Sequence, residues 1–180
     1  MNFPNVLTLT RIFCIPALVA ILLTNFPGRD IIGLAVFVIA SLTDWLDGYW
    51  ARKKKMVTVI GQLLDPMADK LLIASALICL VWLDRAWAWA AIIIIGREMA
   101  VTGFRSIASS KGVTIPASVL GKVKMGVESW VVGALILGPQ YVGKYFPAAK
   151  ASLWLVIILA LISAMEYYVR FGPKVLASQR

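Results

Sequence analysis

The chain is 180 residues long, 61% hydrophobic and only 15% charged, a balance that excludes an ordinary soluble domain and puts most of it in a bilayer. Its net charge of +9 matches nucleic acid in sign alone. Basic residues in so apolar a chain mark topology and anionic headgroups instead, so nucleic acid is set aside as a partner.

The first predicted span covers 5–24 and opens on "FPNVLTLTRI". No small-residue cleavage site follows the apolar run from Ile12 to Leu23, so this segment reads as a retained transmembrane helix, not a signal peptide. After the turn "FPGRD" (26–30), the second span (31–50) ends in "DWLDGYWAR" and a basic stretch at 52–55. The third (62–83) opens on "GQLLDPMAD" and closes at the turn "LDR", which Trp82, Trp87 and Trp89 bracket as an interfacial belt. The fourth (86–106) carries "GREMAVTGFR", and the fifth (119–138) begins in "LGKVKM". The turn "YVGKYFPAAK" leads to the sixth (150–170), with Glu166 and Arg170 near its end. Each span is about 20 residues, enough for ~30 Å of hydrocarbon. Cys14 and Cys79 lie in apolar runs without metal-ligand spacing, and there is no histidine, so two free thiols are expected, with neither disulfide nor zinc.

Lys and Arg set the orientation. Twelve of the eighteen fall on the side of both termini, the 52–55 stretch and the Arg105–Lys124 segment; Arg29, Arg85, Lys144 and Lys150 fall on the other; Lys70 and Arg97 lie within spans. The positive-inside rule puts both termini in the cytoplasm of a multi-pass inner (plasma) membrane protein. With that orientation every span carries its polar residues at the cytoplasmic end: Asn5, Thr8 and Arg11; Asp44 and Asp47; Asp65 and Asp69; Arg97 and Arg105; Lys122 and Lys124; Glu166 and Arg170. The outer halves read as almost purely apolar. The expected fold is therefore a single all-α integral membrane domain over 1–180, six transmembrane helices around a polar chamber open to the cytoplasm.

Snorkelling to headgroups accounts for Arg52 to Lys55 and Arg170. It does not account for aspartates, which are short and repelled by anionic lipid. Asp44 and Asp47 are three apart, and Gly61, Asp65 and Asp69 recur every four, so each set occupies one helical stripe. Four carboxylates in a low-dielectric site cannot all stay ionised unaided; protonation or cations must relieve them, and two divalent ions supply the balancing charge. Oxygen-only ligands favour Mg²⁺ or Mn²⁺, a setting that commonly also holds substrate phosphates. Gly48, Ala51 and Gly61 leave room beside such ions or allow close helix packing.

"DWLDGYWAR", eight residues, then "GQLLDPMAD" match D-x2-D-G-x2-A-R-x8-G-x3-D-x3-D at all eight fixed positions. The chain thereby resembles the CDP-alcohol phosphotransferases, and "FPNVLTLTRI" is similar to the first helix of the branch that uses glycerol 3-phosphate. The resemblance implies that an alcohol attacks the lipid-bearing phosphorus of CDP-diacylglycerol and CMP leaves. It implies that Asp44, Asp47, Asp65 and Asp69 hold two Mg²⁺ or Mn²⁺ ions, with Asp69 also removing the alcohol proton. It further implies that Gly48, Ala51 and Gly61, with Arg52, Asn5 and Thr8, accommodate the cytidine nucleotide; for Arg52 a topological anchor is equally open. It suggests a homodimer in the lipid bilayer.

A phosphate-bearing acceptor needs cations, and Arg97, Arg105, Lys122 and Lys124 are the candidates. "GREMAVTGFR" and "LGKVKM" resemble the glycerol 3-phosphate branch, although Met125 stands where that branch has Thr. An ion pair with Glu98 or an aspartate is the alternative for Arg97, positive-inside anchoring for the two lysines, and Glu128 is expected to pair with a nearby cation. Serine, inositol phosphate or phosphatidylglycerol as acceptor would use the same metal site. A divalent-cation transporter is the rival of another class, but it needs polar residues through the outer halves.

Overall fold

The structure, a computed structural model, describes the backbone of residues 3–54, 59–113, 115–116 and 118–177, and the side chains of 13–43, 70–113, 115–116 and 118–173. Its helices are α1 (Phe3–Leu23), α2 (Arg29–Lys54), α3 (Val59–Trp82), α4 (Ala88–Ser110), α5 (Val119–Val142), α6 (Phe146–Ala151) and α7 (Leu153–Ala177), with a 3₁₀ turn at Gly143–Tyr145. There is no strand among the described residues.

The long helices overlap the segments read from the sequence as apolar runs and differ from them mainly at their charged ends. Helix α2 continues to Lys54, α4 to Ser110 and α7 to Ala177. A hydropathy window stops at the first cluster of charges, whereas backbone hydrogen bonding does not. The expected turn at 141–150 contains the 3₁₀ turn and α6, which starts with Pro147 in its first turn, where a missing N–H costs nothing.

Leu72, Ile73, Ala76, Leu77 and Leu80 are buried and recur on one face of α3. They form one core with Leu18 and Leu22 of α1, Phe37 and Ala40 of α2, Ala90 and Ile94 of α4, Leu135 and Ile136 of α5, and Leu153 and Val156 of α7. The opposite faces are equally apolar but exposed: Trp82 is 77% accessible, Ile92 70%, Trp130 80% and Val169 74%. Water would not tolerate such a coat; lipid does. The stretch Val119–Pro173 holds, among the described residues, a helix apolar and long enough to cross a bilayer, with a mean hydropathy of 2.1. The chain is a helical protein with the surface of a membrane protein.

At one end of the bundle the turns 26–30, 83–85 and 141–150 meet. Helix α3 stops in a Schellman motif in which Asp84 takes the left-handed φ of 56°; the amide of Arg85 donates to Leu80 O (2.8 Å) and that of Asp84 to Val81 O (3.0 Å). That turn directs Arg85 inward, where Nη2 meets Asp30 at 2.7 Å and Nη1 donates to Ile136 O at 2.6 Å. Gln140 donates to the same carboxylate at 2.6 Å. Burial pushes the Asp30 carboxyl up, but hydrogen bonds and charge from Arg85 and Arg29 outweigh it and hold the group below the usual carboxylate range. Lys150 closes the same end by donating to Asp84 O at 2.9 Å. Asp30 and Arg85, which the sequence places in turns, are buried as a pair and not exposed in loops.

Helix α5 breaks where this pair needs space. Gly138 has φ 70° and ψ 178°, Pro139 follows, and the carbonyls of the preceding turn are released from helical bonding. A Cβ on Gly138 would lie 2.5 Å from Arg85 Cζ. Gly138→Ala is therefore expected to lower the unfolding midpoint in detergent by about 5–15 °C, the scale of a disrupted buried ion pair in a chain of this size. Gly143→Ala also places a side chain at positive φ but meets nothing within 4 Å, so it isolates backbone strain. Equal midpoints for the two variants would refute the account.

Candidate active site

The carboxylate signature falls on two helices that pack together with α1. Unbroken helical backbone runs through Asp44, Asp47, Gly48, Ala51 and Arg52 in α2 and through Gly61, Asp65 and Asp69 in α3. The three- and four-residue spacings therefore keep their register on one face of each helix. The side chains of these eight residues, and of Asn5 and Thr8 in α1, lie outside the described residues. The donor chemistry suits a hard divalent ion: four carboxylates are available, the chain has no histidine, and free Cys79 is buried in the apolar core.

Next to this pair of helices, α3, α4 and α5 contribute charges that converge on one residue. Glu98 of α4 pairs through Oε1 with Arg97 Nη1 and with Lys124 Nζ of α5. Its Oε2 lies 3.7 Å from Lys70 Nζ of α3, the residue after Asp69. Lys124 is only 1% exposed and takes a second carboxylate, Glu128, at 2.6 Å. A buried ammonium is tenable only with such compensation. Arg97 spreads its other nitrogens over α7, with Nε donating to Ala160 O at 2.9 Å and Nη2 to Ser163 Oγ. The expected alternative for Arg97, an ion pair with Glu98, is formed, and so is the pairing of Glu128. A cavity of about 20 Å³ beside the cluster is lined by Lys70, Ile73, Glu98, Met125, Glu128 and Ser129. It has room for about one water.

The other two cations of the expected acceptor pocket stand apart from this cluster. Arg105 and Lys122 are exposed, and among the described residues Arg105 makes one long bond of 3.3 Å, to Ile115 O. The connection between α4 and α5 sets their spacing. Gly112, at φ 73°, closes α4, with Val113 N donating to Ala108 O at 2.9 Å. Ser118 then caps α5 by accepting from Gly121 N at 3.0 Å and donates its own amide to Tyr167 Oη of α7 at 2.9 Å. Ile115 and Tyr167 share a small second core with Val101, Ala108 and Ala164.

Sequence reasoning left two residues of this region without a role. Lys70 was an unassigned cation within a span, and Glu98 a possible partner for one arginine. Adjacency hinted at the Arg97 pairing, but nothing in the sequence joins Glu98 to Lys70 or Lys124. Glu166 stays without a role; its Oε2 is buried with no hydrogen-bond partner among the described residues.

Comparison with known proteins gives a consistent picture. The family model for CDP-alcohol phosphatidyltransferase matches residues 1–164. The chain is 42% identical over 180 residues to the CDP-diacylglycerol–glycerol-3-phosphate 3-phosphatidyltransferase of Bacillus subtilis, covering 93% of each. It is 36% identical over 169 residues to the enzyme of the same name from Rickettsia felis, again with 93% of each covered. A protein of Mycobacterium tuberculosis named probable phosphatidylglycerophosphate synthase is 36% identical over 176 residues, 94% of this chain and 81% of that one.

Proposed function

Because the chain belongs to the CDP-alcohol phosphatidyltransferase family, we propose that it transfers the phosphatidyl group of CDP-diacylglycerol to glycerol 3-phosphate, giving phosphatidylglycerophosphate and CMP. The observation that carries this reading is the intact eight-position signature on α2 and α3, in a chain whose near-full-length relatives bear the name of that reaction.

In this reading Asp44, Asp47, Asp65 and Asp69 hold two Mg²⁺ or Mn²⁺ ions, and Gly48, Ala51 and Gly61 leave space for the nucleotide, with Arg52, Asn5 and Thr8 around it. When bound, the two ions stabilise charge on the entering and leaving oxygens of an in-line displacement. Asp69 accepts the proton of the acceptor hydroxyl as that oxygen bonds to phosphorus; the bond from phosphorus to CMP breaks, and CMP departs with the electron pair. Arg105 and Lys122, exposed and lightly engaged, touch the acceptor phosphate. Arg97 and Lys124, whose nitrogens are already committed to Glu98, Glu128 and α7, add positive potential behind them. Six spans, cytoplasmic termini, a chamber facing the cytoplasm of the inner membrane and a homodimeric state complete the proposal. The clustering of the three opposite turns at one end of the bundle supports the sidedness.

The test is CMP release from CDP-diacylglycerol by the purified protein offered glycerol 3-phosphate, serine, inositol phosphate or phosphatidylglycerol in turn. Preference for any acceptor but the first overturns the assignment. Arg105→Gln is expected to raise the KM for glycerol 3-phosphate ~10- to 100-fold, the equivalent of one charge-assisted bond, while the KM for CDP-diacylglycerol stays nearly unchanged. An unaltered KM would remove Arg105 from the acceptor site.

A further inference from the structure

We infer that Glu98 is a positioning residue that sets the register of the α3 segment carrying Asp65 and Asp69 against the acceptor cations; this rests on the function proposed above. One carboxylate contacts cations from three helices: Lys70 from α3, Arg97 from its own α4 and Lys124 from α5. Through Arg97 it is also tied to α7 at Ala160 and Ser163.

Mere cohesion does not account for this arrangement. A buried ion cluster is rarely more stable than apolar packing of the same volume. Further along, α3 and α4 already cohere through apolar packing, Leu77 and Leu80 of α3 with Ala90 and Ile94 of α4. What charge adds is direction. Each ammonium or guanidinium is drawn to one carboxylate, and α3, α4 and α5 are indexed to it, with Lys70, the residue after Asp69, as the α3 contact. Alignment of reacting atoms is steep in distance, with about 1 Å of misplacement costing on the order of 10² in rate. Glu98 acts through Lys70 and Lys124, the cations it holds on the neighbouring helices.

The experiment uses the full-length protein in mixed micelles with CDP-diacylglycerol, glycerol 3-phosphate and Mg²⁺. Glu98→Gln keeps shape and removes charge. It is expected to lower kcat ~10- to 100-fold with both KM values within about threefold of the unaltered enzyme. Lys70→Gln leaves Glu98 paired with Arg97 and Lys124, so it tests the α3 link even if Glu98→Gln does not fold; kcat is expected to fall about 5- to 10-fold. The double variant is expected to be little worse than Glu98→Gln alone, because both changes cut one link. The rise in unfolding midpoint caused by glycerol 3-phosphate should be as large in Glu98→Gln as in the unaltered protein. A purely structural role would lower the midpoint and leave kcat of the folded fraction unchanged, and that result overturns the inference. So does a raised glycerol 3-phosphate KM at normal kcat, or additive losses in the double variant. If the unaltered protein releases no CMP with glycerol 3-phosphate, the function itself fails, an outcome distinct from failure of any variant.

Discussion

Asp65→Asn is expected to abolish CMP release, lowering turnover at saturating Mg²⁺ on the order of 10³-fold or more, while the protein still inserts and remains monodisperse in detergent. Asparagine retains the bulk of aspartate and removes one negative charge and one strong oxygen donor. The helical backbone of α3 through this position is not disturbed by the change, since the two residues differ little in helix propensity. Loss of activity with retained insertion therefore reports on ligation, not folding. Chelation of divalent ions should produce the same loss in the unaltered enzyme, reversed by adding Mg²⁺ back. Near-normal turnover of Asp65→Asn at saturating Mg²⁺ would sink the metal assignment.

Asp69→Asn separates the two tasks proposed for that residue. If Asp69 removes the acceptor proton, kcat falls ~10²- to 10⁴-fold, the usual cost of a missing general base, with a much smaller change in CDP-diacylglycerol affinity. The comparison to make is single-turnover rate against equilibrium binding of the liponucleotide. A parallel collapse of both would show Asp69 to be a ligand alone. The neighbouring Lys70→Gln, which changes the adjacent residue of the same helix, is expected to lose far less, so proximity by itself does not reproduce the Asp69 effect.

The helices were legible because each is a run of about 20 apolar residues between charges, and that pattern depends only on local sequence. The carboxylate stripes were legible for the same reason, since residues three or four apart on a helix share a face wherever it packs. What was not legible depends on contacts between distant residues. Arg85 and Asp30 are 55 positions apart, Gln140 and Asp30 are 110 apart, and Lys124 and Glu98 are 26 apart. No period or motif joins them. The four acceptor cations looked equivalent in sequence, but burial divides them: Lys124 is enclosed between two carboxylates, whereas Lys122, two residues earlier, is exposed. The break at Gly138 and Pro139 has its reason outside its own neighbourhood, in an arginine from another turn.

Gly138 and Arg85 also constrain how this protein can evolve. The glycine gives the guanidinium its space, and the guanidinium caps a carbonyl in the helix turn just before the glycine. A side chain at 138 displaces the arginine; loss of the arginine leaves Ile136 O and Asp30 without their shared donor in a water-poor setting. Each single step is costly, while exchanging both together for apolar packing, along with a neutral residue at 30, is not. Drift at this end of the bundle therefore proceeds by concerted replacement, and diverged descendants should keep the trio whole or have lost all of it.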